Sequence, residues 1–189
     1  MKKSIVSLLL ISAISISTAL ADGAGGAYWG GQQISYPGLS ADESPFDSTG
    51  DELNYVGGMG FGVDSDDRIA GGFGVGFSEA RDNDQEVSGG FGGLITGRRF
   101  VDRPINLMGM IYAGIGGMSS SSSEDPRLKD GVFAVMGEIT LELSVPIVAF
   151  HPTFYVGYQV ISSVGDGGLG DAYLSYSPTV GFRMLFGGL

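Results

Sequence analysis

The chain has 189 residues, 34 of them glycine, with no cysteine and a formal net charge of −11. The length suits one domain and excludes a large multidomain enzyme. The lack of cysteine excludes disulfides, thiolate metal sites and a cysteine nucleophile. The acidic balance argues against nucleic-acid binding, which needs a basic surface, and the glycines lack the three-residue period of collagen.

Residues 1–21 have the pattern of an export signal. Lys2 and Lys3 precede an apolar stretch at residues 5–16, and Ala19-Leu20-Ala21 fits a small-x-small cleavage site. We predict that this signal peptide is cleaved, which leaves residues 22–189 as a single β-barrel domain and changes the net charge from −11 to −13. The mature chain has no apolar run long enough for a membrane-spanning helix, so any crossing of a bilayer must use strands.

The mature chain alternates between larger and smaller residues with period two. In residues 55–63, for example, Tyr55, Met59 and Phe61 share one face, and glycines occupy the other. Such alternation predicts strands, and so much glycine makes helices unfavourable. Eight strands are expected, near residues 27–36, 55–63, 68–78, 86–96, 105–117, 132–145, 153–164 and 172–186.

The connections between these strands alternate between long and short, which places the long polar loops, with most of the acidic residues, at one end. Outer-membrane barrels have this asymmetry, with short periplasmic turns and longer outside loops. Closure of an even-numbered meander also removes both exposed sheet edges. The predicted fold is therefore all-β, a closed antiparallel up-and-down transmembrane β-barrel of about eight strands with acidic surface loops.

Period-two alternation does not say which face meets water. A soluble exported β-barrel that binds a small apolar ligand is the alternative, and it would bury Phe61, Phe73 and Phe77. We favour the transmembrane barrel because only Glu138, Glu142 and Arg183 among the charged residues lie clearly inside predicted strands. A charge facing lipid near the bilayer centre costs about 2 to 4 kcal/mol, which accounts for that depletion.

The three strand charges share the face opposite to apolar residues such as Ile139 and Val156. We predict that Glu138, Glu142 and Arg183, with Gln159 and Tyr155, form a structural polar cluster in the lumen, because a buried carboxylate needs a nearby cation. We also predict a wall of glycines on the inner face of strands two to four. A narrow eight-stranded barrel would be filled if this wall faced larger side chains from the later strands. A small-ligand pocket beside that wall is the alternative. The wall comprises Gly58, Gly60, Gly62, Gly72, Gly74, Gly76, Gly90 and Gly92.

Few residues suggest catalysis. His151 is the only imidazole, and we predict that it lies in a turn with no nucleophile motif beside it. One histidine and no cysteine disfavour a catalytic zinc site. The sequence Asp64-Ser65-Asp66-Asp67 lacks the glycine and distant glutamate of a calcium loop. We therefore expect no catalytic residue, cofactor or metal site, and no enzyme activity; a lipid-modifying enzyme is the least favoured alternative.

The signal peptide, the eight strands, the long outer loops and a last strand reading TVGFRMLF resemble the small outer-membrane β-barrel proteins of Gram-negative bacteria, of the OmpA-type barrel class. The resemblance is architectural. It implies a monomer in the outer membrane that contacts lipid and lipopolysaccharide, binds no nucleic acid and has a structural or surface-interaction role. It also implies recognition of the last strand by the outer-membrane assembly machinery, although residues 187–189 follow the terminal aromatic Phe186.

Overall fold

The computed structural model describes residues 23–33, 52–80, 85–122, 130–148, 150–164 and 174–189. The predicted signal peptide and the long connections, including most of the predicted acidic loops, lie outside these residues. The eight strands are β1 (Gly23–Gln33), β2 (Glu52–Val63), β3 (Arg68–Ala80), β4 (Gln85–Val101), β5 (Asn106–Ser122), β6 (Asp130–Ser144), β7 (Phe150–Val164) and β8 (Leu174–Gly187).

The strands form a closed antiparallel barrel in which each strand pairs with its sequence neighbours and β1 pairs with β8. The prediction of an all-β, eight-stranded up-and-down barrel is confirmed. No helix in the part of the chain that the structure describes has the length and hydropathy needed to cross a membrane.

The three short connections and both ends of the barrel chain lie together, and we call this the short-turn end. Gly23 at the start of β1 pairs with Gly62, next to the β2–β3 turn, and Ala24 pairs with Gly187 near the end of β8. In that turn Asp64 Oδ1 accepts backbone N–H bonds from Asp66 and from β3, both at 2.9 Å.

β4 and β5 each end five residues later than the sequence indicated. Residues 97–104, the predicted connection between the strands near 86–96 and 105–117, are mostly strand, because Arg98 and Arg99 continue the β4 ladder opposite Gly109 and Met108. At the other end, the serines from Ser119 onward, which follow the predicted end of this strand at residue 117, extend β5 as far as residue 122. Both extensions follow from the pairing of β4 with β5, the longest ladder in the barrel.

The faces of β5 to β8 are as predicted. Apolar side chains on these strands point outward and are largely exposed, for example Ile139 and Phe154 at 60% each. The side chains between them are buried inside, including three large residues of β5, Met108, Met110 and Tyr112. The outer set comprises Ile111, Ile115, Phe133, Val135, Ile139, Leu141, Leu143, Phe154, Val156, Tyr158, Val160 and Val180.

The faces of β2 to β4 are the reverse of the prediction, and the predicted glycine wall inside the lumen is wrong. Most of the larger residues in the central parts of these strands are buried in the barrel, namely Tyr55, Met59, Phe61, Ile69, Phe73, Phe91 and Ile95. Val56 and Leu94 are instead exposed on the outer face. The glycines that alternate with them therefore lie on the outer face, namely Gly58, Gly60, Gly62, Gly72, Gly74, Gly76, Gly90 and Gly92.

Volume explains this reversal. An eight-stranded barrel is narrow enough to be filled by side chains, and it needs bulk from both sides of the lumen. Phe73 supplies part of it, packing edge-on against Tyr112 of β5 with 5.4 Å between ring centroids. A Cβ atom added at Gly60 or Gly74 would meet nothing within 4 Å, as expected for positions that face away from the protein.

Candidate functional site

An arginine lies at the centre of the lumen. Arg183 of β8 is opposite Tyr28 of β1 and Thr153 of β7, so its side chain enters the barrel where three strands meet. It is 1% exposed, and its Nη1 forms an ion pair with Oε1 of Glu142, which is fully buried. An ion pair of this kind is costly to desolvate and depends on further hydrogen bonds.

Two hydroxyls supply those hydrogen bonds to the glutamate. Oε1 of Glu142 accepts one from the Tyr112 hydroxyl at 2.8 Å and another from Thr140 Oγ1 at 2.7 Å. Arg183 Nη1 also donates to the Tyr112 hydroxyl, so the tyrosine bridges cation and anion. The other polar atoms of the pair, Glu142 Oε2 and Arg183 Nε, have no hydrogen-bond partner among the described residues.

Three tyrosine rings surround the guanidinium. Arg183 Cζ lies 4.0 Å from the ring centroid of Tyr155, 5.0 Å from that of Tyr112 and 5.2 Å from that of Tyr28. Such contacts stabilise a desolvated cation through the negative face of each ring. The rings therefore replace part of the hydration that Arg183 loses in the lumen.

Inward-facing glycines make room for these tyrosines. A Cβ at Gly30 or at Gly181 would overlap the Tyr155 hydroxyl. That hydroxyl is 2.7 Å from the hydroxyl of Tyr55, and this hydrogen bond connects β7 with β2 across the lumen. At these positions glycine is needed for close packing around the arginine.

The second carboxylate is held separately. Glu138 is 8% exposed and accepts a hydrogen bond from Thr179 Oγ1 at 2.7 Å. Its cross-strand neighbour Gln159 directs Nε2 to the sulfur of Met136 at 3.3 Å. In the described parts of the chain, the one ion pair of Arg183 is with Glu142.

The five residues of the predicted cluster thus share one lumen but divide into two groups. The structure brings Glu142, Arg183 and Tyr155 together and gives Glu138 and Gln159 other partners. Sequence reasoning did not join the hydroxyl and ring partners to the cluster. Thr140 lies between the two glutamates with the same inward parity, which was a usable signal. The partners that were missed are Tyr28, Tyr112, Thr140 and Thr179.

The prediction that His151 lies in a turn is wrong. It is the second residue of β7, it is buried, and its Nε2 lies 3.0 Å from the carbonyl oxygen of Gly187. This contact connects β7 to the end of β8. A buried polar row formed by cross-strand partners lies at the same end of the lumen, comprising Asn106, Ser144 and Thr153.

The buried charges of Arg183 and Glu142 are held in place by hydroxyl groups and aromatic rings. In the buried polar row, Thr153 Oγ1 donates a hydrogen bond to Ser144 Oγ at 2.9 Å. Across the described residues, no group of three or more His, Asp or Glu side chains is placed to hold a metal ion. The contacts form a network that connects β1, β2, β5, β6, β7 and β8.

No protein-family model and no curated protein sequence matches the chain. Among solved structures, Neisserial surface protein A (NspA) is similar with a TM-score of 0.60 at 9% identity, over 87% of this chain and 96% of that one. Ail, the attachment invasion locus protein of Yersinia pestis, is similar with a TM-score of 0.50 at 12% identity, over 87% and 97%. Both are small eight-stranded outer-membrane β-barrels. The chain therefore shares its fold with barrels of this kind, and the resemblance is architectural.

Proposed function

We propose that this protein is an outer-membrane β-barrel with a side-chain-filled lumen and acidic surface loops, and that it has a non-enzymatic structural or surface-interaction role. The observation that carries the proposal is the outer face of β5 to β8, which presents large apolar side chains from one end of the strands to the other. Ile115, Ile139 and Phe154 are each at least 60% exposed.

This apolar outer face favours lipid over water. Soluble monomers rarely expose contiguous apolar patches larger than a few hundred Å², whereas a membrane barrel needs an outward apolar band. The buried phenylalanines of β2 to β4 suit a soluble carrier equally well. The membrane barrel and the soluble carrier therefore differ in whether lipid or water surrounds β5 to β8, and the proposal depends on the outer face of those strands.

The interior supports a structural role. Arg183, Glu142 and three tyrosines occupy the middle of the lumen, and eight strands leave no room for a wide aqueous channel. NspA is named as a surface protein and Ail as an attachment invasion locus protein. These names favour a surface-interaction role for the long-loop end of this barrel.

Fractionation of Gram-negative cells that express the full chain tests the proposal. We expect the protein in the outer-membrane fraction, extractable only with detergent. Ile139→Lys, on the apolar outer face, should reduce the amount assembled in the membrane because a lipid-facing lysine costs about 2 to 4 kcal/mol. Ile139→Leu is the matched control and should assemble normally.

A soluble barrel gives the opposite results. Its wild-type chain would be released with the periplasm without detergent, and it would tolerate Ile139→Lys because water solvates an exposed lysine. Either result would overturn the membrane assignment.

A further inference from the structure

Two arginines face each other on the outside of the barrel at the short-turn end. Arg68 begins β3, and it is the direct cross-strand partner of Arg98 in β4. Ile69, next to Arg68, and Ile95, three residues before Arg98, are buried, whereas both arginines are exposed, so both project from the outer face. Directly opposed residues have Cβ atoms about 4.5 to 5.5 Å apart, and two like charges at that separation destabilise a sheet.

No carboxylate neutralises this pair in the described ranges. The nearby Asp67 and Asp102 are both engaged by a third arginine, Arg99, at 2.8 Å and 3.7 Å. Arg99 is largely buried at this end, whereas Arg68 and Arg98 have no ion pair with any described residue. The aspartate Asp64 directs one oxygen to the turn backbone instead. Neither arginine of the pair has a counter-ion among the described residues, so both remain available to an anion from outside the protein.

The surroundings of the pair indicate what kind of anion fits. The exposed ring of Phe100 lies over Gly109, the β5 partner of Arg98, as an interfacial aromatic would. In the other direction along the outer face, β3 continues with Ala70, Gly72 and further glycines. From Ala70 to Gly76 this row of β3 carries no side chain larger than a methyl group, so it leaves room beside the strand for an acyl chain.

We propose that Arg68 and Arg98 together bind the phosphate of one phospholipid in the leaflet at the short-turn end, with its acyl chains lying over the glycine surface of β2 to β4. Planar guanidinium groups bind phosphate oxygens through paired, charge-assisted hydrogen bonds. One phosphate shared by the two arginines removes their mutual repulsion. The proposal rests on the membrane assignment above, since it needs a bilayer around the barrel.

Native mass spectrometry of the full-length mature barrel, purified in detergent, tests the site. The probes are phosphatidylglycerol, phosphatidylethanolamine, lipid A and diacylglycerol, of which only diacylglycerol lacks phosphate. We expect one retained molecule of either phospholipid and none of diacylglycerol. In Arg68→Gln/Arg98→Gln, apparent affinity should fall about tenfold or more, since removal of one charge-assisted hydrogen bond already weakens binding by a factor of that order.

Arg103→Gln is the matched control, because Arg103 is an exposed arginine of the neighbouring β4–β5 turn with no opposed arginine. It should retain the phospholipid at wild-type affinity. Equal retention by the double variant, or equal retention of diacylglycerol, would overturn the proposal. Displacement of the lipid by millimolar inorganic phosphate would show a free-anion site and would also overturn it, as would a preference for lipid A over both phospholipids.

Failure of this inference can be told apart from failure of the membrane assignment. Insertion of the wild-type barrel into vesicles of phosphatidylethanolamine and phosphatidylglycerol without arginine-dependent lipid retention refutes the lipid site alone. A chain that does not insert into those vesicles refutes the membrane assignment as well. The double variant alters only exposed side chains and removes the repulsion between them, so its unfolding midpoint, measured alongside, should be no lower than that of the wild type.

Discussion

Replacement of Arg183 by methionine tests whether the luminal ion pair stabilises the barrel. Methionine keeps an unbranched apolar chain of similar reach but leaves Glu142 buried without its cation. Breaking a buried pair from one side costs about 3 to 5 kcal/mol. The substitution also removes the cation that the three tyrosine rings surround, and each such interaction stabilises by about 0.5 to 2 kcal/mol. Because hydrogen bonds from Tyr112 and Thr140 to Glu142 remain, we expect a net loss of about 3 to 5 kcal/mol.

Urea unfolding in phospholipid vesicles measures this loss of stability. The chain has one tryptophan, Trp29, which pairs with Phe182 and is therefore next to the site on the β1–β8 ladder. Its fluorescence reports whether that ladder is intact. The control is Arg103→Gln at an exposed turn position, where the change in stability should stay within about 0.5 kcal/mol.

A double variant separates charge from packing. Glu142→Gln combined with Arg183→Met removes both charges, so it should recover most of the stability, because neutral replacement of a buried pair is often close to neutral in stability. A destabilisation under about 1 kcal/mol in the single variant would refute the reasoning. A double variant as unstable as the single one would refute it too, since the destabilisation would then come from packing.

Two further predictions test which way the strands face. Gly74→Val should leave the free energy of unfolding unchanged or raise it by up to about 1 kcal/mol, because the new side chain meets open space and interior glycine weakens a strand. Gly181→Ala should lower it by about 1 to 3 kcal/mol, because the new methyl group overlaps Tyr155. Equal effects of the two substitutions in urea titrations would contradict the assigned faces. In a variant that lacks Trp29, brominated acyl chains should quench the fluorescence of Phe154→Trp strongly and that of Phe73→Trp weakly. Strong quenching of both would show that residue 73 faces lipid.

The sequence was informative where polarity differed between the two faces of a strand. In β6, Glu138 and Glu142 alternate with Ile139 and Leu141, and only one assignment keeps the carboxylates out of lipid. The strand number and the short-turn end followed from turn residues and loop lengths. These features are local in sequence, so alternation and spacing were enough to predict them.

Facing could not be predicted for the central parts of β2 to β4, because neither face carries charge there. Phe73 alternates with Gly72 and Gly74, and period two defines two faces without saying which is inside. The deciding contact is the packing of Phe73 against Tyr112, from a strand that is not its neighbour. The same holds for the Tyr55 to Tyr155 hydrogen bond across the lumen. Contacts across a barrel depend on its closed shape, so they leave no local signal.

The glycines on the outer face of β2 to β4 are explained by the need to fill the lumen with larger side chains. In a closed barrel every strand pairs on both sides, so bare backbone on the outer face can meet lipid with its hydrogen bonds satisfied. A side chain there is dispensable, whereas bulk inside is needed to fill the lumen. In most alternating pairs of β2 to β4 the larger residue therefore goes inward, and Val56 and Leu94 are the exceptions exposed on the outer face. In β5 to β8 the lumen is already occupied by Arg183, Glu142 and the tyrosines, so apolar residues such as Ile139 and Phe154 go outward. Packing of the interior, with exclusion of charge from the exterior, thus accounts for both halves of the barrel.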